Sequence, residues 1–306
     1  MDILSDAVSA IRTGSPSSGL FVRHAPWGRD YPVVPGAGFH VVLQGSCWLR
    51  PRRGDAIALG VGDVVFMPRG AEHVLADDPA TPVSEVAHPG EPREIPGPGP
   101  RSVLLCGAYA LDRRHPHPML DGLPDFVHLP ARLGRHPSLR GAIDLLAAEL
   151  SSPRAGSDAV LPSLLDAMLL YILRAWFEED GADAPPTGWI AAFRDVPVAH
   201  ALRAIHAAPE RAWTVEQLAA AAGVSRATLT RRFAATIGEA PLSYATRWRM
   251  ILAAKRLRDG GDSIAVVARQ VGYGSEFAFA KAFKREFGVA PGRYRKDGEH
   301  PDPIAV

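Results

Sequence analysis

Thr214-Val215-Glu216-Gln217-Leu218-Ala219-Ala220-Ala221-Ala222-Gly223-Val224-Ser225 is followed, 49 residues later, by Ser263-Ile264-Ala265-Val266-Val267-Ala268-Arg269-Gln270-Val271-Gly272-Tyr273. At that offset Ala219 and Gly223 fall on Ala268 and Gly272. Phe233, Gly238, Pro241 and Tyr244 fall on Phe283, Gly288, Pro291 and Tyr294 at an offset of 50, so one residue is added in the second turn, beside Gly274. The repeat unit carries the parts of a helix-turn-helix. Thr214 and Ser263 are N-cap residues. The small Ala219 and Ala268 let two helices approach, and Gly223 and Gly272 supply the left-handed backbone that ends the first helix.

The helix after each turn has two faces. Leu229 and Phe233, or Phe279 and Phe283, lie four residues apart on the buried side. Arg226, Arg231 and Arg232, or Lys281, Lys284 and Arg285, make the other side basic. Between the copies, Leu242 to Arg258 reads as one long helix with Trp248, Ile251, Leu252 and Leu257 on its apolar side. A rigid connector suits two recognition helices that enter successive major-groove segments about 34 Å apart.

Charge divides the chain in the same place. The net charge is +1 over 306 residues. Residues 1–196 hold 17 Lys/Arg against 23 Asp/Glu, whereas residues 197–306 hold 17 against 10, so the helical half is the basic one. Double-stranded DNA is the partner such a balance suggests. Two cysteines exclude a disulfide scaffold and a four-cysteine zinc site. No uninterrupted apolar run approaches the roughly 20 residues of a membrane helix, and the N-terminus lacks the order of a signal peptide, so a cytoplasmic protein with no membrane partner is expected.

Ala268-Arg269-Gln270-Val271-Gly272-Tyr273-Gly274-Ser275-Glu276-Phe277, continued by Phe283-Lys284-Arg285-Glu286-Phe287-Gly288-Val289-Ala290-Pro291-Gly292-Arg293-Tyr294-Arg295, resembles the signature of the AraC/XylS family of bacterial transcription regulators. The resemblance covers about residues 196–296. It implies sequence-specific DNA binding and a functional contact with RNA polymerase. It also implies that the first recognition helix offers Arg226, Ala227, Thr230 and Arg231 to the groove, and the second Glu276, Phe277, Ala278 and Lys281. Ala227 and Ala278 stand where family members often carry larger side chains, which leaves those positions thymine-methyl contact rather than hydrogen-bonded readout.

Residues 20–130 read as β-rich. Phe39–Leu43, Asp63–Met67 and Ser102–Cys106 are short apolar runs broken by Gly, Pro and Asp, the rhythm of an antiparallel barrel. Seven prolines and three glycines between Asp77 and Pro100 read as a passive surface loop. Leu139, Ile143, Leu146 and Leu150 mark a helix ending before Pro153, and a second runs from about Asp158 to Glu179. These two helices either cap the β domain or form a homodimer interface. The expected architecture is therefore multidomain α+β: an N-terminal antiparallel β barrel (1–130), a helical connector (131–195), and an all-α tandem helix-turn-helix domain (196–298).

Gly62-Asp63-Val64-Val65-Phe66-Met67-Pro68-Arg69-Gly70-Ala71-Glu72-His73 resembles the second motif of the cupin barrels, and the first half resembles the cupin sensing domain of one branch of AraC-type regulators. The first cupin motif, with paired histidines and a later glutamate, is missing; Phe39-His40-Val41-Val42-Leu43-Gln44-Gly45 stands in its place. His40, His73, Cys106 and one of the His115-Pro116-His117 pair remain as ligands for one zinc or similar divalent ion. His117 is the choice because Pro118 and Met119 lead on into an apolar segment. Cys47 and Cys106 support a redox signal instead, and an organic effector in the barrel mouth is the third reading. A metal-dependent cupin enzyme with a helical appendage is the alternative function. It leaves the tandem repeat unexplained and lacks two expected metal ligands, so no catalytic residue is assigned.

Overall fold

The computed structural model describes residues 3–34, 36–88, 92–111, 118–179 and 188–298. It forms two compact units. The β unit comprises Gly14–Arg113 and Leu123–Glu179; the helical unit comprises Met1–Thr13, Arg114–Gly122 and Asp180–Asp302. The chain opens with helix α1 (Ile3–Ile11) and then builds strands β1 (Ser17–His24), β2 (Gly28–Tyr31), β3 (Ala37–Gln44), β4 (Cys47–Pro51), β5 (Ile57–Leu59), β6 (Val64–Met67) and β7 (His73–Ala76). β8 (Glu85–Val86), β9 (Glu94–Ile95), β10 (Arg101–Tyr109), the short helix α2 (Pro118–Asp121) and β11 (Val127–Leu129) follow.

The strands make two sheets, ordered β11-β6-β3-β10-β1-β9 and β5-β4-β7-β2-β8. Pairing is antiparallel except for β9 along β1 and β8 along β2. Alternation explains what fills the space between them. Phe21, Val42, Val65, Met67, Leu104 and Cys106 from the first sheet meet Cys47, Leu49, Leu59 and Leu75 from the second in one buried core. The Pro/Gly-rich 77–100 stretch is thus more than the passive loop its composition suggests: it contributes β8 to one sheet edge and β9 to the other.

β3 is buried on both faces from Ala37 to Val42, because helices cover the outside of its sheet. These are α3 (Pro137–Ser151) and α4 (Ser157–Glu179). They pack on each other, with α3 against β1 and α4 against β11. The Tyr109 hydroxyl at the end of β10 donates to the Leu165 carbonyl of α4 at 2.9 Å. By length and composition α4 is also apolar enough to cross a membrane. Here its Leu165, Met168, Leu169, Ile172 and Leu173 are buried in the β unit.

The helical unit adds α5 (Gly188–Arg194), α6 (Val196–Ala207), α7 (Val215–Ala221), α8 (Arg226–Ile237), α9 (Pro241–Asp259), α10 (Ile264–Gln270), α11 (Glu276–Phe287) and α12 (Pro291–Gly298). The expected connector 131–195 is therefore divided: its part up to Glu179 belongs with the strands and its part from Gly188 with the helices. The first residues group with the helical unit. Ile3, Leu4, Ala7, Val8, Ala10 and Ile11 are buried, and α1 packs on α6 and α9 of the helical unit rather than on the barrel. An amphipathic helix docks where an apolar groove receives it, and sequence order does not tell which groove that is.

Candidate functional site

Two sets of residues carry chemistry, one in each unit. In the helical unit both turns form as the repeat predicts. Thr214 accepts from the Gln217 amide while Gln217 accepts from the Thr214 amide, a full capping box on α7. Ser263 accepts from the Val266 amide on α10. Gly223 (φ 68°) and Gly272 (φ 84°) take the left-handed conformation. The Val224 amide reaches the Ala219 carbonyl at 3.1 Å and the Tyr273 amide reaches that of Ala268 at 2.9 Å, the bonds that close each first helix. Ser225 and Ser275 then cap α8 and α11.

This fixes the facing of both recognition helices. Leu229, Phe233, Phe279 and Phe283 are wholly buried. Arg226, Ala227, Thr230 and Arg231 on α8, and Glu276, Phe277, Ala278 and Lys281 on α11, are all exposed. Phe277 is 82% exposed, unusual for a side chain of its size at the start of a helix. Arg226 pairs with Glu216 of α7 at 2.7 Å, and both side chains are exposed. The helices α9, α10, α11 and α12 share one apolar core around Phe279, Phe283 and Tyr294.

In the β unit, four side chains from both sheets meet. His40 and Cys106 are register partners on β3 and β10, and Tyr31 and His73 are register partners on β2 and β7. The His40 and His73 Nε2 atoms lie 2.8 Å apart. His73 Nδ1 donates to the Ala71 carbonyl at 2.8 Å, which leaves its Nε2 as the acceptor and makes His40 Nε2 the donor. Tyr31 stacks on the His73 ring at 4.9 Å, and its hydroxyl lies 3.9 Å from Cys106 Sγ.

Burial sets the charge of this cluster. Both histidines are nearly inaccessible, and burial pushes His73 down to about 4 and His40 well below its ordinary value, so both are neutral near pH 7. Neutral imidazole is the ligating form. Burial pushes the Cys106 thiol up to about 11, against the Tyr31 hydrogen bond and the Arg29, Arg23 and Arg93 charges. Cys47 rises to about 12, through burial and then the neighbouring Cys106. Thiols held protonated react slowly with oxidants.

Of the four expected metal ligands, His40 and His73 are brought together, and Cys106 faces Tyr31 from the strand beside His40. His115 and His117 lie outside the described residues. Among the described residues no three His, Cys, Asp or Glu side chains gather tightly enough to hold an ion as they stand. Tyr31 is the member sequence reasoning missed: it follows Arg29 and Asp30 in a four-residue strand and belongs to no motif.

Comparison with known proteins matches both parts of the chain at the level of the domain. The family profile described as Cupin matches residues 2–178, and that of a helix-turn-helix domain matches residues 218–297. A putative AraC-like transcription regulator of Streptomyces lividans is 37% identical over 98% of this chain and 99% of its own. The HTH-type transcriptional regulator MtrA of Neisseria gonorrhoeae is 32% identical over 97% of this chain and 99% of its own. Among solved structures, the DNA-binding domain of AdpA in complex with a target DNA is 32% identical, over 36% of this chain and 99% of that domain, with a TM-score of 0.33.

Proposed function

Because the chain belongs to the AraC-like family of transcription regulators, with a cupin domain ahead of its helix-turn-helix domain, we propose that it is a DNA-binding regulator controlled by a divalent metal ion at the His40–His73 pair. Regulation of transcription, and not catalysis, is the activity of the relatives it resembles along its whole length. Arg226, Ala227, Thr230 and Arg231 read one groove segment, and Glu276, Phe277, Ala278 and Lys281 the next. Such a protein works in the cytoplasm, with DNA and RNA polymerase as partners.

One observation carries the metal reading. Two buried, neutral histidines present their Nε2 atoms to each other at 2.8 Å, one of them oriented by a backbone carbonyl on its far nitrogen. That arrangement is how ligating histidines are usually held. Tetrahedral bonds of about 2.0–2.1 Å would set the two nitrogens roughly 3.3 Å apart, so transfer of the His40 proton from Nε2 to Nδ1, which keeps the ring neutral, and a shift of about half an ångström prepare the pair. Cys106 is the third ligand, released from Tyr31 and deprotonated by the ion itself. A zinc-like ion accepts this mixed donor set.

A homodimer completes the proposal. Leu145 on α3 and Val160 on α4 are 60% and 42% exposed, apolar positions on the helices that cover the barrel. Pairing two short DNA sites multiplies their affinity.

The test is metal analysis of purified protein, with DNA binding measured before and after chelation. Near-stoichiometric metal in the wild type, lost in His73→Ala and reduced in Cys106→Ser more than in Cys47→Ser, is the expected result. Equal metal content in all four proteins, or DNA affinity indifferent to chelation, overturns the metal reading and leaves the family assignment intact.

A further inference from the structure

The two recognition helices share a backbone plan and differ in chemistry. At the offset of 50 residues that relates them, Arg226, Ala227 and Arg231 of α8 fall on Glu276, Phe277 and Lys281 of α11. Ser225 and Ser275 cap the two helices alike, and Gly238 and Gly288 end them, so each pair holds the same place on its helix. The exposed side of α8 carries Arg226, Arg231 and Arg232 and no acid. That of α11 opens with a carboxylate and an aromatic ring.

A single exposed apolar side chain is ordinary on a protein surface. Phe277 is set apart by its place. It is 82% exposed, whereas every other Phe, Tyr and Trp side chain among the described residues is buried or half-buried. Phe279, Phe283 and Phe287 make the buried side of the same helix and pack on one another and on Tyr294. Phe277 stands two residues past the Ser275 cap, in the first turn, where a recognition helix meets base edges.

What that turn can recognise follows from its donors and acceptors. Guanine shows two acceptors, N7 and O6, in the major groove. Glu276 is itself an acceptor, and Phe277 and Ala278 neither donate nor accept, so the side chains of this turn have no donor for guanine. An apolar ring laid on a polar base edge strips water from it and returns no hydrogen bond. The apolar group that a base pair presents in the major groove is the 5-methyl of thymine. Ala278 ends at its Cβ, whereas the Phe277 ring reaches farther from the helix axis and has a face to cover that methyl.

We infer that Phe277 reads a thymine in the second box through its 5-methyl group, while the arginines of α8 suit guanine in the first. This rests on the reading that α11 enters the major groove. It also gives the site a direction, because boxes of different chemistry cannot be exchanged between the two helices.

The experiment uses the full chain. Duplexes that it retains are recovered from a randomised pool, and each thymine in the protected boxes is replaced singly by deoxyuridine, which removes the methyl and keeps the base pair. Affinity is measured for the wild type, Phe277→Ala and Phe277→Leu. At one thymine, deoxyuridine should weaken the wild type about four-fold, the worth of one buried methyl group, and leave Phe277→Ala unaffected. Phe277→Leu should keep part of the response. Because Phe277 is exposed, Phe277→Ala should melt at the wild-type temperature, which separates lost contact from lost fold. Two protected boxes without any thymine whose methyl is coupled to Phe277 overturn the thymine contact and leave the tandem reading standing. Absence of sequence-selective, salt-dependent binding overturns both.

Discussion

His206 Nε2 on α6 lies 2.7 Å from the Tyr244 hydroxyl on α9, and the same ring stacks on Trp248 at 4.1 Å between centroids. The bond ties the helix that precedes the first turn to the helix that joins the two turns. Asp6 of α1 stands 3.4 Å from the other ring nitrogen, and burial nonetheless pushes His206 down to about 3. The folded protein therefore keeps this ring neutral at pH values where an unfolded chain protonates it. Unfolding takes up a proton below about pH 6.5, so this contribution is complete above that value and is lost as pH falls toward 3. Chemical denaturation of the wild type should show stability rising from pH 4 to 6.5. His206→Phe should flatten part of that slope, and an unchanged slope would remove His206 as its source.

Helix α1 should matter to DNA binding although it lies at the far end of the sequence from the repeat. Ile11 is 1% exposed, and Arg258 of α9 donates to the Ala10 and Arg12 carbonyls at 3.2 and 3.4 Å. Ile11→Ala leaves a cavity within the helical unit, for a loss of about 2–5 kcal/mol. Hydrogen exchange should report faster opening of α6 and α9 in this variant. Protection confined to its wild-type values would mean that α1 is dispensable.

On DNA, the two recognition helices should be separable. Arg231→Ala should relax preference at one base position of the first box, by about 1–3 kcal/mol if the contact is bidentate to guanine. Lys281→Ala should act on the second box, and should lower the slope of affinity against salt by about one if it meets a phosphate. Footprinting checks both, and the wild type should protect two boxes one helical turn apart. Protection of a single groove segment would count against the tandem arrangement.

The thiols should be slow. Cys47 and Cys106 are buried and pushed up to about 12 and 11, so little thiolate exists at neutral pH. A disulfide-exchange reagent should label neither in the native protein within the time that labels both in denaturant. Fast native labelling of Cys106 would revive the redox reading at the expense of the metal one.

How much of this was legible in the sequence differs by element. Caps and turns were: Thr214, Ser263, Gly223 and Gly272 act through their own backbone neighbours, so their spacing predicts them. The faces of α8 and α11 were also legible, because helical period alone separates Phe233 from Arg231. His40 and His73 could be chosen as a pair from cupin-like spacing, yet nothing in the chain says their nitrogens face each other at 2.8 Å. Tyr31 was invisible. Its meeting with His73 depends on β2 pairing with β7, a contact between residues far apart in the chain with no local pattern. The packing of α1 on α6 and α9 likewise rests on contacts between residues far apart in the chain.

The two turn glycines, equivalent in the sequence, should prove unequal. Gly223 and Gly272 both have positive φ, so alanine at either costs about 1–2 kcal/mol of backbone strain. Around Gly223 nothing lies within 4 Å of where a Cβ would stand. At Gly272 the Glu210 carbonyl oxygen would be 2.2 Å away, and the obstacle is backbone, which cannot swing aside as a side chain does. Glu210 belongs to the segment between α6 and α7, so the second turn presses against the entry to the first. Gly272→Ala must therefore push two motifs apart, adding about 1–3 kcal/mol of overpacking to the strain. Gly223→Ala should keep DNA binding near the wild-type level with a small loss of stability. Gly272→Ala should lose stability further and weaken both boxes together. Equal stability and equal footprints for the two variants would show that the close approach at Glu210 relaxes at no cost.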